Sequence, residues 1–355
     1  FFFKQKTAYE IKECDWSSDV CSSDLANVIG FSDKIICTPN HFEILGKEIY
    51  SNSIIGNINN QEALQHVFET NKIDLVFHLA AQSLVRQSYS EPLETFETNI
   101  LGTAKVIDIA RRNIFVKGMV VVTSDKCYEN LENDVAFNEE DKLGGYDPYS
   151  ASKGAVEIVI NSFRRSYLTD NKNSRNFILA SARAGNVIGG GDWSNDRLIP
   201  DLVKNAATGK TTKIRNPNST RPWQHVLEPL TGYLLLGQKI LSDDYSASGA
   251  FNLGPSNNET LTVSEIIKQC TRVWPDIKVE SEKNKSELHE AKLLRLNCIK
   301  ANSTLNWNPI WNTSEAIEKT LNWYKNYYMN SISNTEHDLM NYIEKAIKLK
   351  YSWSL

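Results

Sequence analysis

The sequence predicts an α/β protein, a doubly wound parallel sheet with a smaller C-terminal lobe. Three observations carry that expectation. From residue 26 to residue 183 short apolar runs alternate with amphipathic stretches, the pattern of strands joined by crossover helices. Two of those runs end abruptly in small or polar groups, HLAAQ at 78–82 and VVVTSD at 120–125, where strands of such a sheet open onto a ligand. Beyond Arg183 the alternation stops: glycine clusters at Gly185, Gly189, Gly190 and Gly191, and helical stretches follow with irregular links.

Taken in order, residues 27–31 read as a strand, 73–80 (IDLVFHLA) as a second, 118–124 as a third and 177–183 as a fourth, each rich in β-branched or other apolar residues. Between them 61–70, 92–112 and 149–168 read as helices. In the last, Val156, Val159, Ile160, Phe163 and Tyr167 recur at helical spacing and form a buried stripe. Later helices are expected at 198–207, 227–241 and 263–274, the last opened by Thr262 and Glu265 at capping-box spacing. The expected division is 26–186, with 218–252 returning to it, for the sheet domain, and 187–217 with 253–345 for the lobe. Residues 1–25 do not fit. They contain no glycine, scatter their charges unlike a signal peptide, and resemble translated sequencing-adapter sequence, which implies a segment foreign to the rest.

A chain of 355 residues buries a sizeable core. Its net charge of -4 with interspersed signs gives no footprint for nucleic acid, and no apolar run is long enough to cross a bilayer. The six cysteines show no C-x-x-C spacing, so free thiols in a reducing cytoplasm are expected rather than a disulfide framework or a zinc site.

The chemistry concentrates in two places. The strand at 118–124 runs into Thr123, Ser124, Asp125 and Lys126, a hydroxyl pair, an acid and a base at a ligand-facing end. Some 25 residues on, Tyr149 and Lys153 stand four apart at the start of a helix, so both project from one face. An ammonium near a phenol stabilises the phenolate, which predicts a Tyr149 pKa lowered from about 10 toward working pH.

This combination resembles the extended short-chain dehydrogenase/reductase family, and HLAAQ at 78–82 and PLETFETNILGT at 92–103 are similar to that family's cofactor-side segments. TSDKCY, GGYDPYSASKG, AGNVIGGGDW and RPWQHVLEP together resemble its nucleotide-sugar 4,6-dehydratases, and among them the branch acting on CDP-glucose. The likeness runs from about residue 26 to about residue 330. It implies a Rossmann domain binding NAD, a homodimer, and oxidation at C4 of a hexose, loss of water across C5 and C6, and return of the hydride to C6. Tyr149 is then the base at the C4 hydroxyl, Lys153 holds the phenolate and the nicotinamide ribose, Ser124 fixes the hydroxyl, and Asp125 protonates the departing C6 hydroxyl. Lys126 stands where related dehydratases carry a glutamate that takes the C5 proton, a job a lysine does only when partly neutral.

The same resemblance places Asn57, Ile58, Leu79, Ala80, Ala81, Gln82 and Asn99 beside the cofactor, with Asp33 a candidate for its ribose. It places Asn186, Arg197, Leu198, Arg221, Trp223, Asn252 and Glu290 around the sugar, diphosphate and nucleotide, where arginine forks suit phosphate oxygens; Trp223 either packs the base or fills core. His78 and His225 sit in apolar contexts and are expected to be structural, with no metal. One departure bears on the cofactor. A Rossmann unit begins with a strand and a glycine-rich turn that receives the pyrophosphate, and nothing in residues 1–25 supplies it. Asn57 also replaces an aspartate of the relatives. The expectation is weak NAD binding by this chain. A 4-epimerase, or an inactive NAD-fold binding protein, are the rival readings.

Overall fold

The computed structural model describes residues 2–5, 26–33, 38–46, 53–133, 135–168, 176–256, 261–281 and 293–354. Strands β1 (Phe2–Gln5), β2 (Ala26–Ser32), β3 (Ser53–Ile55), β4 (Leu75–His78), β5 (Gly118–Val122) and β6 (Ile178–Ala184) form the sheet with a later strand, β11 (Gly249–Leu253). Their spatial order is β11-β6-β5-β4-β1-β2-β3. Neighbours from β4 to β11 run parallel, as do β2 and β3. Apart from β1 this is the predicted doubly wound sheet, with strand ends within two residues of those expected.

The centre differs. β1 occupies the slot between β4 and β2 and runs antiparallel to both, Phe2 opposite Val76 and Ile29, Gln5 opposite Ala26. An empty slot would leave two rows of backbone groups unpaired in the middle of the sheet, each costly to bury. Backbone pairing does not read side chains, so a four-residue extended piece of either polarity can close it. Its direction nevertheless matters, because the C-terminal end of β1 points away from the edge where β4, β5 and β6 end. Residues 6–25, which follow it in sequence, are outside the described residues.

Period-two alternation divides the core. Met119 and Val121 of β5 pack with Val76 and Leu179 against α2 (Gln61–Thr70), α5 (Thr103–Arg112) and α6 (Pro148–Tyr167); of the predicted stripe Val156 and Ile160 are buried, Val159 and Phe163 partly so, and Tyr167 is exposed. Val120 points the other way, joining Leu75, Phe77, Ile178 and Ala180 against α8 (Leu227–Leu241) and α10 (Ile299–Leu305). Each such fully buried side chain contributes about 1.5–3 kcal/mol of apolar burial. The helix expected at 92–112 is present as α4 (Pro92–Phe96), a π-helical stretch Glu97–Gly102 and α5, interrupted where Asn99 turns inward, and an unpredicted short helix, α3 (Val85–Ser90), precedes it.

The lobe has its own core. Ile199, Leu202 and Val203 of α7 (Leu198–Ala207), Ile266 and Cys270 of α9 (Val263–Val273), and Ile317, Leu321, Trp323 and Tyr324 of α11 (Thr313–Asn330) enclose Trp193, Trp223 and Trp274. The Thr262/Glu265 capping box is formed. Two connections fasten this lobe to the sheet domain. α1 (His41–Leu45), in the chain after β2, packs Ile44 on the lobe core, and its His41 Nε2 lies 2.8 Å from Thr335 Oγ1. Glu228 of α8 is fully buried and its carboxylate accepts from the Ile310 and Trp311 amides (2.9 and 2.8 Å) and from the Tyr342 hydroxyl (2.7 Å).

Candidate active site

β5 ends at Val122, and Thr123 and Ser124 carry the chain into a short 3-10 turn, Asp125–Cys127. Ser124 makes the turn: its Oγ accepts from the Lys126 amide at 3.2 Å and donates to Asp125 Oδ1 at 2.9 Å. Across from it, α6 starts with an Asp147 cap, whose carboxylate accepts from the Ser150 amide and hydroxyl (2.9 and 2.6 Å), and with Pro148 in the first turn. Those devices fix the helix start and so the aim of Tyr149 and Lys153. The Lys126 and Lys153 ammonium groups each lie 5.9 Å from the centre of the Tyr149 ring.

Ser124, Asp125, Lys126 and Tyr149 line one cavity of about 420 Å³ at the parallel strands' C-terminal edge. Asn186, Arg197, Leu198, Arg221 and Trp223 line the same cavity, so the catalytic candidates other than Lys153 and five of the seven substrate candidates converge there. Trp223 has a buried indole N–H with no hydrogen-bond partner. Asn252 is elsewhere. Its Oδ1 accepts from Tyr128 OH at 2.6 Å and its Nδ2 donates to the Phe137 and Asn297 carbonyls, all within buried structure behind the site. Glu290 lies outside the described residues.

Burial dominates the electrostatics. It pushes the Tyr149 phenol up to about 12, with Ser124 pulling it back and Asp125 adding to the rise. It pushes Lys153 down to about 8 against the pull of Glu157 and Cys127. The expectation that Lys153 alone brings the phenol toward neutrality is therefore corrected, because desolvation of Tyr149 outweighs it. Burial also raises Asp125, against Lys126, Ser124 and Arg221, which favours the protonated carboxyl that an acid needs.

Asp125 Oδ2 is buried without a hydrogen-bond partner, pressed against the backbone of Gly185. A Cβ on Gly185 would lie 1.8 Å from that oxygen. Gly185→Ala is accordingly expected to displace the acid, lowering turnover by about tenfold or more for about 1–3 kcal/mol of lost stability; unchanged turnover measured beside a melting curve would contradict this placement.

Of the cofactor-side candidates, Ile58, Leu79 and Ala80 line a second cleft of about 240 Å³ with Phe31 and Ser32, while Asn57, Ala81, Gln82 and Asn99 do not line it. Asn57 Nδ2 donates to Asp33 Oδ2 at 3.3 Å beside it. Asn99 accepts from the Gln82 amide (2.8 Å) and donates to the Gln82 carbonyl and Ser152 Oγ (3.0 and 2.8 Å), tying the HLAAQ segment, which includes Ala81, to the Tyr/Lys helix. His78 bonds Thr103 and His225 packs edge-on against Trp311. Among the described residues no group of three His, Cys, Asp or Glu could hold a metal ion.

Sequence reading missed Arg86 and Arg215, which line the main cavity and share Asp196 Oδ1 at 3.3 and 3.2 Å. A signal for Arg86 existed, since it lies just downstream of the ligand-facing HLAAQ. Arg215 directly follows a lobe strand, β8 (Thr211–Ile214), and only tertiary folding brings it in.

A parallel sheet whose strand ends meet a Tyr-x-x-x-Lys helix, with a separate lobe over them, defines the extended short-chain dehydrogenase/reductase class. The chain belongs to the GDP-mannose 4,6 dehydratase family, whose model matches residues 42–320. It is 40% identical over 301 residues, 84% of each chain, to CDP-glucose 4,6-dehydratase of Salmonella typhimurium. An epimerase from Methanothermobacter thermautotrophicus shares the fold with a TM-score of 0.72 at 24% identity, over 86% of this chain and 87% of that one. A dTDP-glucose 4,6-dehydratase from Streptomyces venezuelae, solved with NAD bound, does so with a TM-score of 0.64 at 22% identity, over 77% and 79%.

Proposed function

We propose that this chain is an NAD-dependent hydro-lyase that converts CDP-glucose to CDP-4-keto-6-deoxyglucose. The observation that carries the reading is a buried Asp125, its carboxyl raised by that burial, facing the same cavity as Tyr149. A 4-epimerase needs the phenol and the ammonium but has no use for an acid placed to discharge a C6 hydroxyl.

The residues present fit the adenosine half of NAD: an apolar cleft closed by Ile58, Leu79 and Ala80, with the Asp33 carboxylate and Asn57 amide at its mouth for a ribose. NAD, when bound, takes up a hydride from C4 and returns it at C6. The remaining work falls to side chains. Tyr149 receives the C4 hydroxyl proton while Ser124 holds that oxygen and Lys153 keeps a positive charge beside the phenolate. With C4 a ketone, the C5 proton is acidic; Lys126, acting as the neutral amine, takes it, and Asp125 gives its proton to the C6 hydroxyl, which leaves as water. Arg197 and Arg221, with Arg86 and Arg215, supply the positive charge for the diphosphate.

Incubation with CDP-glucose and NAD is expected to give a product lighter by one water on mass analysis. A product of unchanged mass means epimerisation and overturns the reading. Because Lys153 acts as an ammonium that burial holds at about 8 while the Tyr149 phenol stays up at about 12, kcat/KM is expected to climb with pH as the phenolate fraction grows and to stop climbing above about 8, where the ammonium is lost. A profile that goes on climbing to pH 10 in rate measurements contradicts the role given to Lys153.

Outward-facing Leu93, Leu101 and Ile158 on the helices flanking the sheet are exposed apolar side chains that suit pairing with a second copy of the chain about a two-fold axis. Buried, free Cys127 and Cys270 suit a reducing cytoplasm, and among the described residues no helix is long and apolar enough to cross a membrane. A 4-keto-6-deoxy nucleotide sugar is a precursor for deoxysugars of surface polysaccharides such as O-antigen.

A further inference from the structure

One helical turn beyond Lys153, Glu157 lies 1% exposed and touches neither cavity nor solvent. Its Oε1 accepts from Thr123 Oγ1 at 2.6 Å; its Oε2 accepts from Ser181 Oγ at 2.9 Å and from Arg183 Nη2 at 2.8 Å. Arg183 passes the chain on, donating to Tyr128 OH at 2.8 Å and to the Glu139 carbonyl at 3.0 Å, and Tyr128 OH donates to Asn252. A buried ion pair is a poor stability device, since desolvating both partners offsets most of their attraction. Its value has to be sought in what it orients.

Tyr149, Lys153 and Glu157 follow at spacings of four along one face of α6. Thr123 immediately precedes Ser124 and Asp125, and Ser181 and Arg183 lie on the strand that leads to Gly185 and Asn186. One carboxylate thus ties together the helix bearing the phenol and ammonium, the strand end bearing the acid, and the strand beneath the sugar loop. We propose that Glu157 is a positioning residue for the reaction: it locks the Tyr149/Lys153 helix against the Ser124/Asp125 turn and supplies the negative charge that keeps Lys153 an ammonium.

The groups facing Lys153 fit this role. Tyr149 and Glu157 stand on its own helix, Cys127 on the turn after β5 and His78 on β4; of these, Glu157 is the one carrying a fixed negative charge at neutral pH. Burial pushes the Glu157 carboxyl up, but the Arg183 guanidinium, the Thr123 hydroxyl and Arg164 together hold it below its usual value. Replacing Glu157 by an amide leaves Arg183 as an unpaired buried cation near Lys153.

The inference rests on the Tyr149/Lys153 reading above. It is tested with Glu157→Gln in the full chain, assayed with CDP-glucose and NAD. The expected result is a kcat lower by about tenfold, KM changed by less than about twofold, and the break that opens the alkaline limb displaced by about one unit to lower pH. A lost fold alone lowers amplitude without moving the limb. Thr123→Val removes one hydrogen bond and leaves the charge, and is expected to lower kcat about threefold with the limb unmoved. pH-dependent labelling of Lys153 by an amine reagent, read by mass spectrometry without NAD or substrate, should show its midpoint lowered in Glu157→Gln. If the parent releases no water from CDP-glucose, the proposed function fails while the labelling still decides on Glu157. A parental limb and a parental labelling midpoint in Glu157→Gln overturn the inference; should that variant not fold, a parental kcat in Thr123→Val overturns it.

Discussion

Asp125→Asn is expected to split the reaction in two. The amide keeps the turn geometry, because Ser124 can still bond the retained oxygen, but it has no proton to give at C6. C4 oxidation should then proceed and dehydration stall, with net turnover down by about 10²–10⁴ and a stoichiometric rise in NADH absorbance upon mixing. Tyr149→Phe should fail earlier, with no NADH signal, since without the phenol the C4 hydroxyl keeps its proton. The contrast separates the two side chains more sharply than either loss of activity. Identical behaviour of the two variants in rapid-mixing absorbance would show that Asp125 is not the acid.

The second large effect concerns residues 1–25. A chain in which they are exchanged for a parallel strand and glycine-rich turn is expected to retain about tenfold or more NAD through purification than the present chain. Amide N–H groups at a helix N-terminus carry much of the grip on a dinucleotide's phosphates, and the C-terminal end of β1 points to the opposite edge of the sheet. Equal cofactor content, measured by NADH release from denatured samples, would show that the pyrophosphate is held by other means.

Much of the site was legible because its chemistry is local. Thr123 to Lys126 are contiguous, Tyr149 and Lys153 share a helix face, and a strand end in this class of sheet points at a ligand, so proximity followed from topology. The helix at 61–70 and the capping box at Thr262 were equally readable, since their signals lie within one turn. What was not legible is set by burial and by contacts remote in sequence. Side-by-side placement of phenol and ammonium suggested a lowered Tyr149 pKa; how deeply the ring is buried, which reverses the direction, depends on the whole lobe. The family resemblance set Asn252 near the nucleotide, yet Tyr128, 124 positions away, claims its carbonyl. Arg215 reaches the cavity only because the lobe folds back over the sheet. The polarity of the central strand was invisible too, as main-chain pairing carries no pattern that alternation can report.

That central piece has a mechanical corollary. With the order β4-β1-β2, the four residues of β1 form the only main-chain seam, among the described strands, between the catalytic half of the sheet and the half that bears Phe31, Ser32 and Asp33. A tear there leaves the hexose pocket whole and sets the adenosine wall adrift, so amide hydrogen exchange should begin along β2 well before it touches β5.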